Sequence, residues 1–150
     1  MPSFSAASRS RLMTCHPDLI TIFNTVIESR DCTIIEGYRD ETTQNEYYRT
    51  GKSQLRYPRG NHNLQPSRAV DVMEYFPERP HLRWSNLDGI EYFAAYVLRV
   101  ADGLMAAERT THRLRWGADW DGDSIRVDKD PDESFFDGAH YELIPNPDGE

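Results

Sequence analysis

The feature that most constrains this chain is a carboxylate set inside an apolar strand. Residues Ala69-Val70-Asp71-Val72-Met73 alternate as a half-buried β-strand does, which puts Asp71 on the face opposite Val70 and Val72. A buried carboxylate without a partner is costly, so a fold that accepts this strand must bring a cation to Asp71. That cation can be a metal or an arginine. On this segment alone an arginine is the simpler answer.

The rest of the chain reads as α+β. Ser8 to Arg11 lead into Leu12, and Pro17 opens a second helical pattern with Leu19, Ile20, Phe23, Val26 and Ile27 on one face. Cys32 to Ile35 is short and β-branched, as a strand is, and Gly37 and Asp40 punctuate its end. Glu41 to Thr50 reads as a short helix stopped by Gly51. Residues 52–67 carry Pro58, Gly60, Asn61, Asn63 and Pro66, a loop long enough to suggest function. Pro77 and Pro80 break the chain after the Asp71 strand. Leu87 to Ala107 is the longest helical pattern, with Ile90, Phe93, Ala94, Val97, Leu98 and Ala101 as its buried face. Arg113 to Trp116 and Ala139 to Leu143 predict two further strands, separated by an Asp-rich loop over Asp119 to Glu133. The expected fold is a small, mainly antiparallel sheet with helices packed on one side. Without an internal repeat or a linker, residues 1–150 are expected to form one domain. The first few residues and the tail from Pro145 are polar and expected to fray.

Composition narrows the function. A chain of 150 residues can bury a real core without staples. A net charge of −8 and a pI near 5.1 argue against a nucleic-acid partner and against adhesion to anionic lipid. No apolar run approaches a membrane span, and no basic-then-apolar leader opens the chain, so no membrane insertion is expected and synthesis in the cytoplasm is. Cys15 and Cys32 form no Cys-x-x-Cys pair, and two buried thiols are the expectation, with a disulfide between them left open.

The chemistry gathers around histidines. His62 stands in a turn-rich loop, nine residues before Asp71, within Gly60-Asn61-His62-Asn63-Leu64-Gln65-Pro66-Ser67-Arg68-Ala69-Val70-Asp71. His140 enters the last strand within Asp137-Gly138-Ala139-His140-Tyr141-Glu142-Leu143. His, Asp and His are three ligands of the kinds zinc accepts, and a catalytic zinc keeps its fourth position open. Asp137 can lie beside such a metal without ligating it, where a general base belongs, and it equally fits a turn before Gly138. His16, His81 and His112 have no carboxylate or histidine at ligand spacing; His16 reads as a helix-start residue and the other two as exposed. Trp116 and Trp120 could wall a groove, although core packing is the simpler role. Asp119, Asp121 and Asp123 offer oxygen ligands of the kind calcium takes, but Asp119-Trp120-Asp121-Gly122-Asp123 lacks the spacing of a full EF-hand loop, and an exposed acidic loop is the simpler reading.

The His62 segment resembles the Ser-x-His-x-x-Gly-x-Ala-x-Asp metal motif of the D-alanyl-D-alanine carboxypeptidases and phage L-alanyl-D-glutamate endopeptidases. It looks most like a phage-type variant, His-Asn-x-x-Pro-Ser-x-Ala-Val-Asp. Asp137 to His140 resembles the Asp-x-Pro-His ending of that family. His16-Pro17-Asp18-Leu19 is similar to its early His-Pro-x-Leu. Glu36-Gly37-Tyr38-Arg39, Gln44 and Gly51-Lys52-Ser53 are similar to its Gly-x-Arg, Gln and Gly-x-Ser series. Trp116-Gly117-Ala118-Asp119-Trp120 is similar to its Trp-Gly-Gly-Asp-Trp. The departures are Gly60 for Ser, Ala139 for Pro and Ala118 for Gly. The changes at Gly60 and Ala139 bear on loop rigidity and affinity rather than mechanism.

The resemblance implies a hedgehog/D-Ala-D-Ala-peptidase-like fold, one catalytic zinc on His62, Asp71 and His140, Asp137 as base and Arg39 as stabiliser of the oxyanion. From the residues alone Arg39 could equally be a surface cation or the partner of Glu36 or Asp40. Gln44 is expected to support the fold or orient Arg39. The implied substrate is a peptidoglycan stem peptide, cut between L-Ala and D-Glu by a monomer during phage lysis. The protein would be made in the host cytoplasm and act in the periplasm or wall after release by a separate lysis protein. The alternatives are a D-Ala-D-Ala carboxypeptidase, a non-catalytic zinc-bearing wall-binding module and a structural virion component.

Overall fold

The computed structural model describes residues 2–124, 126–130 and 135–145. Ser5 caps the first helix, α1 (Ala6–Leu12), and Phe4 beside it is buried in the core, so the start of the chain is anchored rather than frayed. The aromatic ring overrides the polarity of its neighbours. The expected fraying of the tail concerns residues 146–150, which lie outside the described residues. Helix α2 (Pro17–Val26) begins where His16 Nδ1 accepts the Asp18 N–H at 3.0 Å, and it buries Leu19, Ile22, Phe23 and Val26. Strand β1 (Cys32–Glu36) leads to α3 (Glu41–Thr50), which is capped by the Asp40 carboxylate. Gly51 ends α3 with φ at +83°, a conformation that suits glycine. Strand β2 (Ala69–Glu74), helix α4 (Leu87–Ala106), strand β3 (Leu114–Trp116) and strand β4 (His140–Leu143) complete the order.

The strands form one antiparallel sheet in the order β1-β2-β4-β3. Helix α1 covers the outer edge of β1: the Ile34 N–H donates to Ser8 Oγ and the Ile34 carbonyl accepts from Arg11, each at 3.0 Å. Pairing an edge strand with side chains protects it from further pairing.

The ladder register sorts the side chains. Ile34 pairs with Val72, Val70 with Tyr141, Tyr141 with Trp116 and Leu143 with Leu114, so one face is apolar up to its margin, where Glu74 pairs with Arg30. Helices α2 and α4 pack there; Phe23 meets Tyr141 edge-on at 5.6 Å, and Phe93, Ala94, Val97 and Ala101 of α4 are buried in the same cluster, with Leu98 only half-buried and Leu104 joining them. The opposite face receives Glu36, Asp71, His140, Glu142 and Arg115. Cys15 and Cys32 are free and buried on the apolar side, and burial pushes both thiols up to about 12. Among the described residues no helix is long and apolar enough to cross a membrane.

Tyr141 is fully buried, and its hydroxyl has no hydrogen-bond partner among the described residues. An orphaned hydroxyl forfeits its bonds to water. Tyr141→Phe keeps the ring and removes that group, so it is expected to raise the unfolding free energy by about 1 kcal/mol, read from urea denaturation. A lower midpoint would show that the hydroxyl is satisfied.

Candidate metal centre and cleft

Because β2 and β4 pair with Asp71 opposite His140, a carboxylate and an imidazole stand side by side on the polar face. His62 joins them from a short 3-10 turn, Asn61–Asn63. This turn is the one regular element inside the stretch 52–67 that reads from sequence as loop. It is fixed by the Gly60 N–H donating to Asn63 Oδ1 at 2.9 Å and by the Arg39 N–H donating to the His62 carbonyl at 2.8 Å. A Cβ at position 60 would stand 2.9 Å from Asn63 Oδ1 and 3.2 Å from Gln44 Oε1. The departure from serine there is therefore matched by Asn63, whose side chain fills the space and closes the turn.

His62 Nε2, His140 Nδ1 and Asp71 Oδ1 form a triangle with edges of 3.1, 3.2 and 3.2 Å. Donors of a tetrahedral zinc at about 2.0–2.1 Å stand about 3.3 Å from one another, so the triangle fits that ion. Each imidazole turns its other nitrogen onto an acceptor: His62 Nδ1 lies 2.7 Å from the Gly37 carbonyl, and His140 Nε2 lies 2.7 Å from Glu142 Oε1. These outward contacts hold the ring protons away from the centre and leave lone pairs inside, the arrangement that outer partners of metal-binding histidines provide. Glu142 is in turn paired with Arg115.

The charges respond to this crowding. Burial alone would pull His140 down, yet the Asp71 and Glu142 carboxylates outweigh it and push the imidazole up to about 10. Against the upward pull of burial, the His62 and His140 rings hold Asp71 well below the usual carboxylate range. Glu142, likewise raised by burial, is brought down to about 2 by His140 and Arg115.

Asp137 stands just outside the triangle, its Oδ2 3.9 Å from His140 Nδ1. Burial first, and then the Asp71 charge, push its carboxyl up to about 6 despite the nearby cations. Its carbonyl also accepts the His140 N–H at 3.0 Å, so the residue holds the turn before Gly138 while its carboxyl stands beside the triangle. Arg39 is buried, with Nε 2.6 Å from Glu36 Oε1, Nη2 3.5 Å from Asp71 Oδ2 and Nη1 2.9 Å from Gln44 Oε1. A guanidinium has five N–H donors, and one on Nη1 remains outside these contacts. Gln44 is fully buried and spends its amide on Ser53 Oγ and the Leu55 carbonyl, so it orients Arg39 and does not face solvent.

These groups open onto a cleft of about 380 Å³, lined by Trp120, Phe135 and the segment Lys52 to Leu55 among others. Trp120 stacks on Phe135 at 6.1 Å and lies 5.5 Å from the His140 ring, whereas Trp116 is a core residue. The two tryptophans thus divide between wall and core.

Three histidines differ from the sequence expectation, since His16 and His112 come within ligand reach of each other and of Asp18, and His81 is not exposed. His112 is buried, with Nδ1 2.8 Å from Asp18 Oδ2, and His16 meets its ring edge-on at 5.0 Å. Asp18 Oδ2 also accepts from the Thr111 and His112 backbone N–H groups, which clasps the start of α2 to the approach to β3. Against burial, those contacts hold Asp18 below its usual range. His81 is half-buried, stacked on Tyr75 at 4.9 Å with Nδ1 2.8 Å from the Phe76 carbonyl. His16 does start α2, as expected.

Asp119, Asp121 and Asp123 come within mutual reach, as a calcium loop requires. Asp121 accepts the Asp123 N–H and Asp119 accepts the Ser124 N–H, so the same carboxylates hold the loop's own turns. Asp128 and Asp130 are described, while Asp132 and Glu133 of this acidic stretch lie outside the described residues.

Sequence reasoning passed over Glu142, Gly37 and Gly117 as parts of the site, whereas Glu36 is the partner of Arg39 that it allowed. For Glu142 a signal existed: it follows His140 by two positions, hence on the same strand face. Gly117 is a strut. Its N–H donates to the His140 carbonyl at 2.7 Å and its carbonyl accepts the Asp137 N–H at 2.8 Å.

A family model described as phage L-alanyl-D-glutamate peptidase matches residues 2–144. Among solved structures, the Serratia marcescens L-Ala D-Glu endopeptidase ChiX is similar in fold, with a TM-score of 0.68 and 24% sequence identity over 95% of this chain and 91% of that one. No curated protein matches the chain.

A Cβ on residue 117 would stand 2.3 Å from the Asp137 carbonyl oxygen and 2.8 Å from His140 Cβ. Gly117→Ala is therefore expected to lower stability by about 1–3 kcal/mol and to weaken metal binding, measured by thermal melting and metal titration. A variant as stable and as metal-competent as the parent would show that the strut is dispensable.

Proposed function

The chain belongs to the phage L-alanyl-D-glutamate peptidase family and hydrolyses peptidoglycan; from that premise we propose that it is a zinc endopeptidase in which His62, Asp71 and His140 hold the metal, Asp137 is the base and Arg39 binds the oxyanion. The observation that carries the reading is the donor triangle with Asp137 beside it and an arginine donor in the same cleft. Zinc in that triangle would supply Lewis-acid polarisation and make water acidic enough to attack near neutral pH. Asp137 takes the proton of the attacking water and returns it to the leaving amine. Arg39, held by Glu36 and Gln44, offers its remaining Nη1 hydrogen to the oxygen that gains charge. Retention of both groups favours an enzyme over a wall-binding module, which needs neither.

The proposal extends to residues 1–150 acting as one catalytic domain and as a monomer on the stem peptide, at the L-Ala–D-Glu bond. Its setting is host lysis, after a separate protein has opened the way to the wall. A structural calcium at Asp119, Asp121 and Asp123 is a separate element of the proposal, supported by the convergence of the three carboxylates.

Purified peptidoglycan treated with the zinc-loaded protein is expected to release new D-Glu amino termini, and chelation is expected to abolish this. Asp137→Asn is expected to keep one zinc per chain and to lose about 10²–10⁴-fold in kcat/KM. Zinc binding with no new termini from any wall preparation would overturn the enzyme reading, and release of D-Ala alone would move the cut to the carboxypeptidase position.

The base must be ionised to act. Since the Asp137 carboxyl is pushed up to about 6, kcat/KM is expected to fall as pH drops through that value. A dication at the centre favours the carboxylate and moves the limb lower still. Zinc content measured at each pH separates this limb from metal loss; a limb that follows zinc content, or that persists unchanged in the residual activity of Asp137→Asn, would remove Asp137 as its source.

A further inference from the structure

We propose that Lys52 forms an anion subsite in the cleft and binds the free carboxylate of the D-glutamyl residue whose amide is cut; this rests on the stem-peptide reading above. Three lysine or arginine side chains line the cleft, Arg39, Lys52 and Arg115. Two are committed, Arg39 to Glu36 and Asp71 and Arg115 to Glu142. Among the described residues no carboxylate stands within ion-pair distance of Lys52, and Glu46 on the preceding helix is paired with Arg49 at 2.6 Å.

The lysine is held in place by more than its own flexibility would suggest. Gly51 closes α3 in the left-handed conformation, and the Lys52 N–H donates to the Tyr47 carbonyl at 2.8 Å, so the side chain leaves from a fixed backbone. Its ammonium lies 5.3 Å from the centre of the Tyr47 ring, and the same ring lies 4.6 Å from Arg39 Cζ. One tyrosine therefore stands beside both the oxyanion arginine and the ammonium.

The substrate supplies a matching anion. A glutamyl residue acylated on its nitrogen keeps two carboxyl groups, and a chain that continues beyond it uses only one. In a γ-linked stem the other is the α-carboxylate, on the carbon bonded to the scissile nitrogen. When the scissile carbonyl oxygen meets Arg39, this carboxylate belongs to the adjoining residue, and Lys52 stands beside Arg39 on the same tyrosine in the same cleft. A chain of net charge −8 repels such an anion over most of its surface, so a cation in the cleft is needed to admit it. An ammonium suits the position, because a point charge on a flexible stem can follow a carboxylate at an open rim.

The test uses two synthetic stem peptides that differ only in a free α-carboxylate or an α-amide on D-glutamate. The zinc-loaded parent is expected to cleave the carboxylate form about tenfold better in kcat/KM, with the difference in KM. In Lys52→Met the ratio is expected to collapse to near one, and in Lys52→Arg to persist. A parent enzyme without preference, or a Lys52→Met variant that lowers both substrates and keeps the ratio, would overturn the subsite while leaving the endopeptidase reading intact. Cleavage of neither peptide by the parent would overturn the bond assignment and the subsite with it.

Discussion

Three lone-pair donors within 3.2 Å of one another cannot share a small volume unless something positive sits among them. That constraint organises the polar side of the molecule. Without a metal the positive charge is a proton, which is why the carboxylates around His140 push it up to about 10. With a metal, the outward contacts to the Gly37 carbonyl and Glu142 already fix the tautomers that binding requires. The pairing of Asp71 with His140 across β2 and β4 is thus both a backbone register and a choice of ligand geometry. A slip of β2 by one residue against β4 would turn Asp71 to the apolar face and leave His140 without it.

The same economy of contacts appears around the cleft. Asp71 offers Oδ1 to the imidazoles and Oδ2 to Arg39, so one carboxylate joins the centre to the arginine. Its charge is also a cause of the raised Asp137 carboxyl, after burial. Gly117 joins Asp137 and His140 through backbone hydrogen bonds on either side, and a side chain there would collide with both. Asp137 and His140 are therefore positioned by main chain, which varies less than a side-chain contact does.

Much of this was legible in the sequence, for local reasons. Alternation around Asp71 assigned its face, Gly51 marked the end of α3, and the order of elements gave an α+β fold with an antiparallel sheet. What escaped depends on contacts between distant residues. His112 looks idle along the chain because its partner, Asp18, is 94 residues away. Phe4 looks like part of a frayed start until the core that receives it is assembled. Trp116 and Trp120 differ by four positions and face different surroundings, since one lies in β3 and the other beyond it. Glu142 could have been placed by strand periodicity, but its pairing with Arg115 needed the β3 to β4 register.

The sheet therefore separates two tasks by its faces. The apolar face carries residues with no exposure at all, such as Val70, Tyr141 and Leu143, and area removed from water there needs no particular geometry to stabilise the fold. The polar face holds charges whose burial is tolerated only while each has a partner, and two of those charges share their partners with the site. A metal that binds the folded triangle and finds no such triangle in the unfolded chain adds its binding free energy to stability. Chemistry and folding are then coupled through the polar face alone. The apolar face can be repacked without removing any of these charges, whereas on the polar face each charge removed takes a partner from another buried one.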